Sequence, residues 1–161
     1  MKIPALLAFP FALLAATGPA VPLSARALQG SACQGPPGGV TLYVNVQGLR
    51  SAKGLVAVTL YADNRKKFLV KKGSIYVGRV DAHAPNTRVC MHLPATGTYA
   101  LAVYHDEDGN RHFKRNLVGM PIEGFGFSNN PPTLFGLPSF AKVRINVPKA
   151  TTETTIKLRY P

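Results

Sequence analysis

An all-β fold, a two-layer sandwich of about seven short strands, is what this sequence predicts. Three observations carry the prediction. Apolar and polar residues alternate over several short stretches, the period of a half-buried strand. Clusters of Gly, Pro, Asn and Asp separate those stretches and read as turns. No segment sustains a helical repeat for more than a couple of turns.

The alternation begins at residue 40. Val40, Leu42, Val44 and Val46 fall on one face, and Thr41, Tyr43, Asn45 and Gln47 on the other. Residues 48–54 (GLRSAKG) turn the chain, and residues 55–62 (LVAVTLYA) are apolar and β-branched enough for a central strand. These two strands are expected to pair as an antiparallel hairpin. Residues 63–73 (DNRKKFLVKKG) are basic around Phe68, Leu69 and Val70. They read either as a membrane-facing patch or as a connection whose apolar residues tuck onto the sandwich, with lysines guarding a strand edge. Strands follow at 74–80 and 87–93. Pro94 to Gly97 turn, and Tyr99, Leu101 and Val103 then alternate with Ala100, Ala102 and Tyr104. Near the end Val143, Ile145 and Val147 alternate with Lys142, Arg144 and Asn146, and Thr154, Ile156 and Leu158 complete the last strand. An immunoglobulin-like or prealbumin-like sandwich over residues 40–161 fits this punctuation.

The N-terminus reads as an export signal. Lys2 precedes a mostly apolar run, and Ala25-Arg26-Ala27 supplies a small-x-small cleavage site, so residues 1–27 are expected to be removed after Ala27. The run is shorter than the roughly 20 apolar residues that span a bilayer, and no later stretch qualifies. A lipoprotein would need an aliphatic residue three places before Cys33, where Gly30 stands. The expected location is periplasmic or secreted, with residues 28–39 as a linker. Loss of Lys2 and Arg26 takes the formal charge from +12 to +10. Outside the cytoplasm that balance favours an anionic lipid surface, an acidic envelope polysaccharide or another exported protein over nucleic acid. Cys33 and Cys90 are the only cysteines; their spacing matches no zinc motif, and an oxidising compartment allows them to pair. Such a bridge would pin the N-terminal arm to the outside of a sheet, where Cys90 shares a face with Arg88 and His92.

Residues 104–140 form the stretch where function is expected. They carry Asp106, Glu107 and Asp108 in succession, then glycines, prolines, asparagines and phenylalanines without regular alternation. A loop of that length in a compact domain is functional or disordered, and its aromatics argue for order.

Several segments together resemble a bacterial secreted family catalogued as domain of unknown function 2141. They are VxGLR at the end of the first strand, a GxVxVxLY strand, LPxxGTYALAVYHDEDGN, and GxPxEGFGFSNN…FGxPSF. The resemblance runs from about residue 40 to the C-terminus and implies an exported β-sandwich, with no established activity. The LPxxGTY turn is also similar to that of prealbumin-like and carboxypeptidase-regulatory-type domains. One departure stands out against the family pattern: Arg111 occupies the place of a second glycine, and Lys114 or Arg115 lies near the place of a further acid.

Asp106, Asp108 and Asn110 have the spacing of the first three side-chain ligands of a calcium loop. Arg111 and Leu117 replace the glycine and the bidentate glutamate such a loop uses, and the other reading is an acidic turn bonded to its own backbone. His105 offers a metal ligand or proton shuttle, or a strand-end histidine bonded to a carbonyl. Glu123 with one of Asp106 to Asp108 would supply paired carboxylates for sugar hydrolysis. Ser128 lies in no nucleophile elbow, and His83, His92 and His112 are dispersed. Tyr104, Phe125, Phe127, Phe135 and Phe140 offer an aromatic platform, with Asn129 and Asn130 as directional donors. Alternatively the rings plug one end of the sandwich. The leading expectation is a noncatalytic module binding an envelope component through Tyr104, His105, Glu123, Phe125, Phe127, Asn129 and Asn130. The alternative is a metal-dependent or carboxylate-based enzyme acting on envelope carbohydrate.

Overall fold

A computed structural model describes residues 32–133 and 136–161. The export signal read at residues 1–27 and the ring of Phe135 lie outside the described residues. Among the described residues eight strands form two sheets: β1 (Val40–Gln47), β2 (Leu55–Ala62), β3 (Tyr76–Asp81), β4 (Asn86–Leu93), β5 (Gly97–Asp106), β6 (Gly124–Phe127), β7 (Arg144–Val147) and β8 (Thr151–Lys157). One turn of helix, α1 (Phe140–Val143), leads into β7. No helix among these residues is long and apolar enough to cross a membrane. The smaller sheet runs β4-β1-β8 and the larger β3-β2-β5, with β6 and β7 following each other along the remaining edge of β5.

Alternation places the core where the sequence indicates. Leu42, Val44 and Val46 of β1, Val56, Val58 and Leu60 of β2, Val89, Met91 and Leu93 of β4, and Leu101 and Val103 of β5 meet between the sheets with Ile156 of β8, all buried. Each such side chain contributes about 1.5–3 kcal/mol by leaving water.

Two expectations need correction. β1 and β2 do not pair as a hairpin. β1 lies antiparallel to β4 and parallel to β8, while β2 lies between β3 and β5. Residues 48–54 therefore cross from one sheet to the other, and Leu49 is buried on the way. Alternation dictates which residues face the core; it carries no information on which strand lies alongside.

The second correction concerns the 104–140 segment, which does not plug an end of the sandwich. Its Gly124–Phe127 stretch joins the larger sheet as β6, making an eighth strand, and the rings of Phe125, Phe127 and Phe140 lie on that sheet's outer face. There Tyr61, Ala100, Phe127 and Val143 are buried, with Phe68, Ala102, Phe125 and Phe140 packed against them. The cause is local. The outward positions of β2 and β5 here are Tyr61, Ala100 and Ala102, an apolar strip whose alanines leave room for rings. Phe68, from the basic 63–73 stretch, reaches the same strip.

Ser128 joins β6 to β7. It donates its backbone N–H to the Leu101 carbonyl at 3.1 Å, and its Oγ accepts from Leu101 N at 2.9 Å while donating to the Val143 carbonyl. The ladder on β5 thus passes from one short strand to the next without an orphaned group.

The arm before β1 is pressed to the opposite edge. Gln34 donates its backbone N–H to Cys90 O at 2.9 Å and accepts from His92 N at 2.8 Å. Its side chain donates to Arg79 O at 2.6 Å and accepts from Arg79 N at 2.9 Å, so one glutamine links β4 of the smaller sheet to β3 of the larger. Cys33 and Cys90 lie at disulfide distance, Cα to Cα 4.5 Å. A Cβ at Gly38 would sit 1.9 Å from the Leu93 carbonyl oxygen, so only glycine lets the arm lie this close.

Candidate functional site

The C-terminal end of β5 gathers most of the residues that sequence reasoning singled out. His105 is buried there. Its Nε2 donates to the Lys53 carbonyl at 2.8 Å and its Nδ1 lies 2.7 Å from the Tyr160 hydroxyl. Tyr160 Oη also accepts from the Arg50 backbone N–H at 3.2 Å. Gly124 makes room beneath, since a Cβ there would lie 2.4 Å from the Tyr160 ring. The Arg50 guanidinium covers that ring, 4.5 Å from its centroid, and grips Glu107 with two nitrogens. Hydrogen bonding from Arg50 holds the Glu107 carboxyl below its ordinary range, with Ser51 assisting, and burial pushes the Tyr160 phenol up.

The acidic turn follows. Asp106 is fully buried and accepts the backbone N–H groups of Asn110 at 3.1 Å and Arg111 at 2.6 Å. Arg111 itself adopts φ of 66°, the left-handed conformation that glycine takes more easily. Asp108 accepts from Asn110 Nδ2 at 2.9 Å and is paired with the Lys114 ammonium. Glu123, only 5% exposed, accepts from Lys114 N at 3.0 Å. Oxygens of Asp106, Asp108 and Glu123 come within 4.8 Å of one another. Asn110, the third side chain of the expected calcium spacing, accepts from His112 N through its Oδ1 at 2.7 Å. Burial raises the Glu123 carboxyl, whereas the Lys114 hydrogen bond lowers that of Asp108.

The rings form a row along the outer face. Tyr104 to Phe113, Phe113 to Phe125, Phe125 to Phe127, Phe127 to Phe68 and Phe68 to Phe140 are edge-on or tilted neighbours with centroids 5.5, 6.2, 6.0, 6.3 and 5.5 Å apart. Phe127 is buried, and Tyr104, Phe125 and Phe140 are half-buried. The amides of Asn129 and Asn130 are directed to backbone. Asn129 donates to Lys142 O and Arg144 O, and Asn130 clamps β8 through Thr155 O and Lys157 N. At the far end of β5 an open cleft is lined by Asp63, Arg65, Ser139, Phe140, Ala141 and Arg144; Asp63 is paired with Arg144.

Sequence reasoning missed the most exposed feature. Between the acidic turn and β6 the chain makes a small ordered tip, with Arg115 and Pro121 bridged. Leu117 is 107% exposed, Val118 82%, Met120 58% and Ile122 46%. Asn116 holds the tip together: its Oδ1 accepts from Val118 N at 3.1 Å and Met120 N at 2.9 Å. The signal was available as an asparagine followed three residues later by glycine, a turn whose side chain bonds backbone two residues on.

A disulfide-distance staple, two sheets with one outer face carpeted by rings, and an acidic turn at a strand end define an all-β sandwich module. Residues 44–156 match the family described as an uncharacterized protein conserved in bacteria (DUF2141), and the chain belongs to it. No curated protein and no solved structure matches the chain.

Proposed function

We propose that this is an exported, noncatalytic β-sandwich module that binds an envelope component through the surface of its 104–140 segment. The observation that carries the reading is the ordered tip, which turns four apolar side chains to solvent, with Arg115 at its base and Arg111 four residues earlier in the chain. An exposed apolar patch held in shape by internal hydrogen bonds is a surface built for contact. The excess of cations makes the partner an anionic surface, an acidic polysaccharide or an exported protein with an acidic face. In this reading residues 1–27 are the export signal, and Cys33 and Cys90 pair after export. Mass analysis with and without reductant tests the pairing. Retention of envelope components by the immobilised chain, compared with a Leu117→Ser/Val118→Ser variant, tests the binding surface; equal retention by both would remove it.

One observation favours the second reading, an enzyme acting on envelope carbohydrate: Asp106, Asp108 and Glu123 converge, and burial raises Glu123. Against it, Asp106 is occupied by two backbone donors and Asp108 by the Lys114 ammonium, which already supplies the cation a metal would bring. Calorimetry with calcium decides. Heat of binding together with a raised melting temperature, both lost in Asp106→Ala/Asp108→Ala, would favour the enzyme.

A further inference from the structure

We propose that residues 115–122 insert into the interfacial layer of an anionic lipid bilayer, with Leu117, Val118 and Met120 leading. The proposal rests on the binding reading above and names its partner.

Exposure is the first argument. Scattered exposed apolar residues are ordinary on a protein surface. Here four lie within six positions on one protruding turn, and the foremost has no neighbour shielding it.

Backbone satisfaction is the second. Asn116 N donates to Met120 O at 2.8 Å, Gly119 N to Asn116 O at 2.9 Å, and Ile122 N to Lys114 O at 3.2 Å. Val118 N and Met120 N donate to Asn116 Oδ1, and Arg115 Nη1 donates to Gly119 O at 3.2 Å. Water would serve these groups equally well on an ordinary loop. Towards the acyl side of the interface water becomes scarce, and internal pairing lowers the cost of bringing the backbone in.

Charge is the third. Residues 109–122 include Arg111, Lys114 and Arg115 and no acid. Among the described residues Arg111 and Arg115 form no ion pair. Cations set behind an apolar tip meet lipid phosphates as the tip enters. Chemistry disfavours the other partners. A sugar calls for an open aromatic face, yet Tyr104, Phe113 and Phe125 are half-buried and meet edge to face, and the Arg115 guanidinium lies over the Phe113 ring, 5.4 Å from its centroid. A protein groove calls for directional polar groups, yet both polar side chains of the tip, Arg115 and Asn116, bond the tip's own backbone.

The chain contains no tryptophan, so Leu117→Trp provides a single reporter. With phosphatidylglycerol-containing vesicles its emission is expected to shift to the blue and to be quenched by brominated acyl chains. With phosphatidylcholine alone the response should be much weaker. Leu117→Ser/Val118→Ser, melting as the parent does, should cosediment with the anionic vesicles about tenfold less well. An unshifted tryptophan would overturn the proposal, as would a serine variant that sediments like the parent. If vesicles fail but the tip still retains an envelope protein from lipid-free extract, insertion is refuted and the wider binding reading survives. If the serine variant matches the parent in both assays, both readings fall.

Discussion

The two halves of residues 115–131 have opposite fates, and the half richer in apolar residues is the exposed one. Residues 123–131 place Gly124–Phe127 along β5, bury Phe127 and seal the joint with Ser128. Residues 115–122, just before them, turn Leu117, Val118, Met120 and Ile122 to solvent. The first half has an unfilled strand edge and an alanine-lined strip to settle on. The second has neither, and an asparagine folds it back on itself. The comparison teaches that burial here depends on what the sheet offers alongside rather than on the hydrophobicity of the segment.

The sharpest way to break that comparison is one truncation in each half. Phe127→Ala removes a buried ring that touches Phe68 and Phe125, and should cost about 3–5 kcal/mol. Leu117→Ala removes a fully exposed side chain and should stay within about 0.5 kcal/mol. Urea unfolding of both variants measures the difference. Similar costs would mean that Leu117 is covered in solution.

Ser128→Ala tests the joint itself. It leaves Leu101 N and Val143 O without the hydroxyl, in a buried setting, and should cost about 1–3 kcal/mol by the same measurement. Ser128→Thr keeps the hydroxyl and is expected to recover part of the loss if the added methyl fits; identical behaviour of the two variants would show that space, not hydrogen bonding, governs the position.

Much of this was legible. The period-two pattern located β1 closely, because its inner face is apolar and its outer one polar or mixed, and apolar, β-branched composition located β2. The acidic turn was readable as a backbone-bonding motif from Asp106 and Asn110 alone. Strand neighbours were not readable: nothing in Val40 to Gln47 says that β8 will lie parallel beside it, since that pairing is decided across the whole chain. β6 was hidden because Gly124 and Gly126 break the alternation that Phe125 and Phe127 would have shown. Ala100 and Ala102, read merely as outward positions, were the sequence trace of a second apolar layer.

Glu123 and Glu107 extend the comparison to charge, and they titrate with opposite sign. Burial raises the Glu123 carboxyl, so the folded state holds its proton more tightly than the unfolded chain does. Its contribution is therefore most favourable below the unfolded value of about 4.5 and is lost as pH rises through the folded value. Glu107 is lowered by Arg50, so its contribution is present above that unfolded value and lost as pH falls through the folded one. Glu123→Gln keeps an acceptor for Lys114 N without a charge. The variant should gain stability relative to the parent at pH 7 and lose that advantage near pH 4. Glu107→Gln should lose stability at pH 7 and match the parent in acid. Denaturant midpoints at the two pH values check both, and a Glu123→Gln advantage that grows in acid would reverse the argument.

The smallest effect on stability should come with the largest effect on order. Asn116→Ala removes the oxygen that receives Val118 N and Met120 N, both in an exposed turn, so water replaces the lost acceptor and the change in unfolding free energy should be about 0.5 kcal/mol or less. Protection is another matter. Those two amides have no other partner in the tip, and local opening can approach zero cost once a loop loses its internal bonds. Hydrogen exchange should therefore become fast at Val118 and Met120 while amides of β5 and β6 keep their parent rates. If exchange at the tip is unchanged, Asn116 is not what shapes it. A turn that keeps its form without that side chain would have to be held by the Asn116–Met120 and Arg115–Pro121 backbone contacts alone.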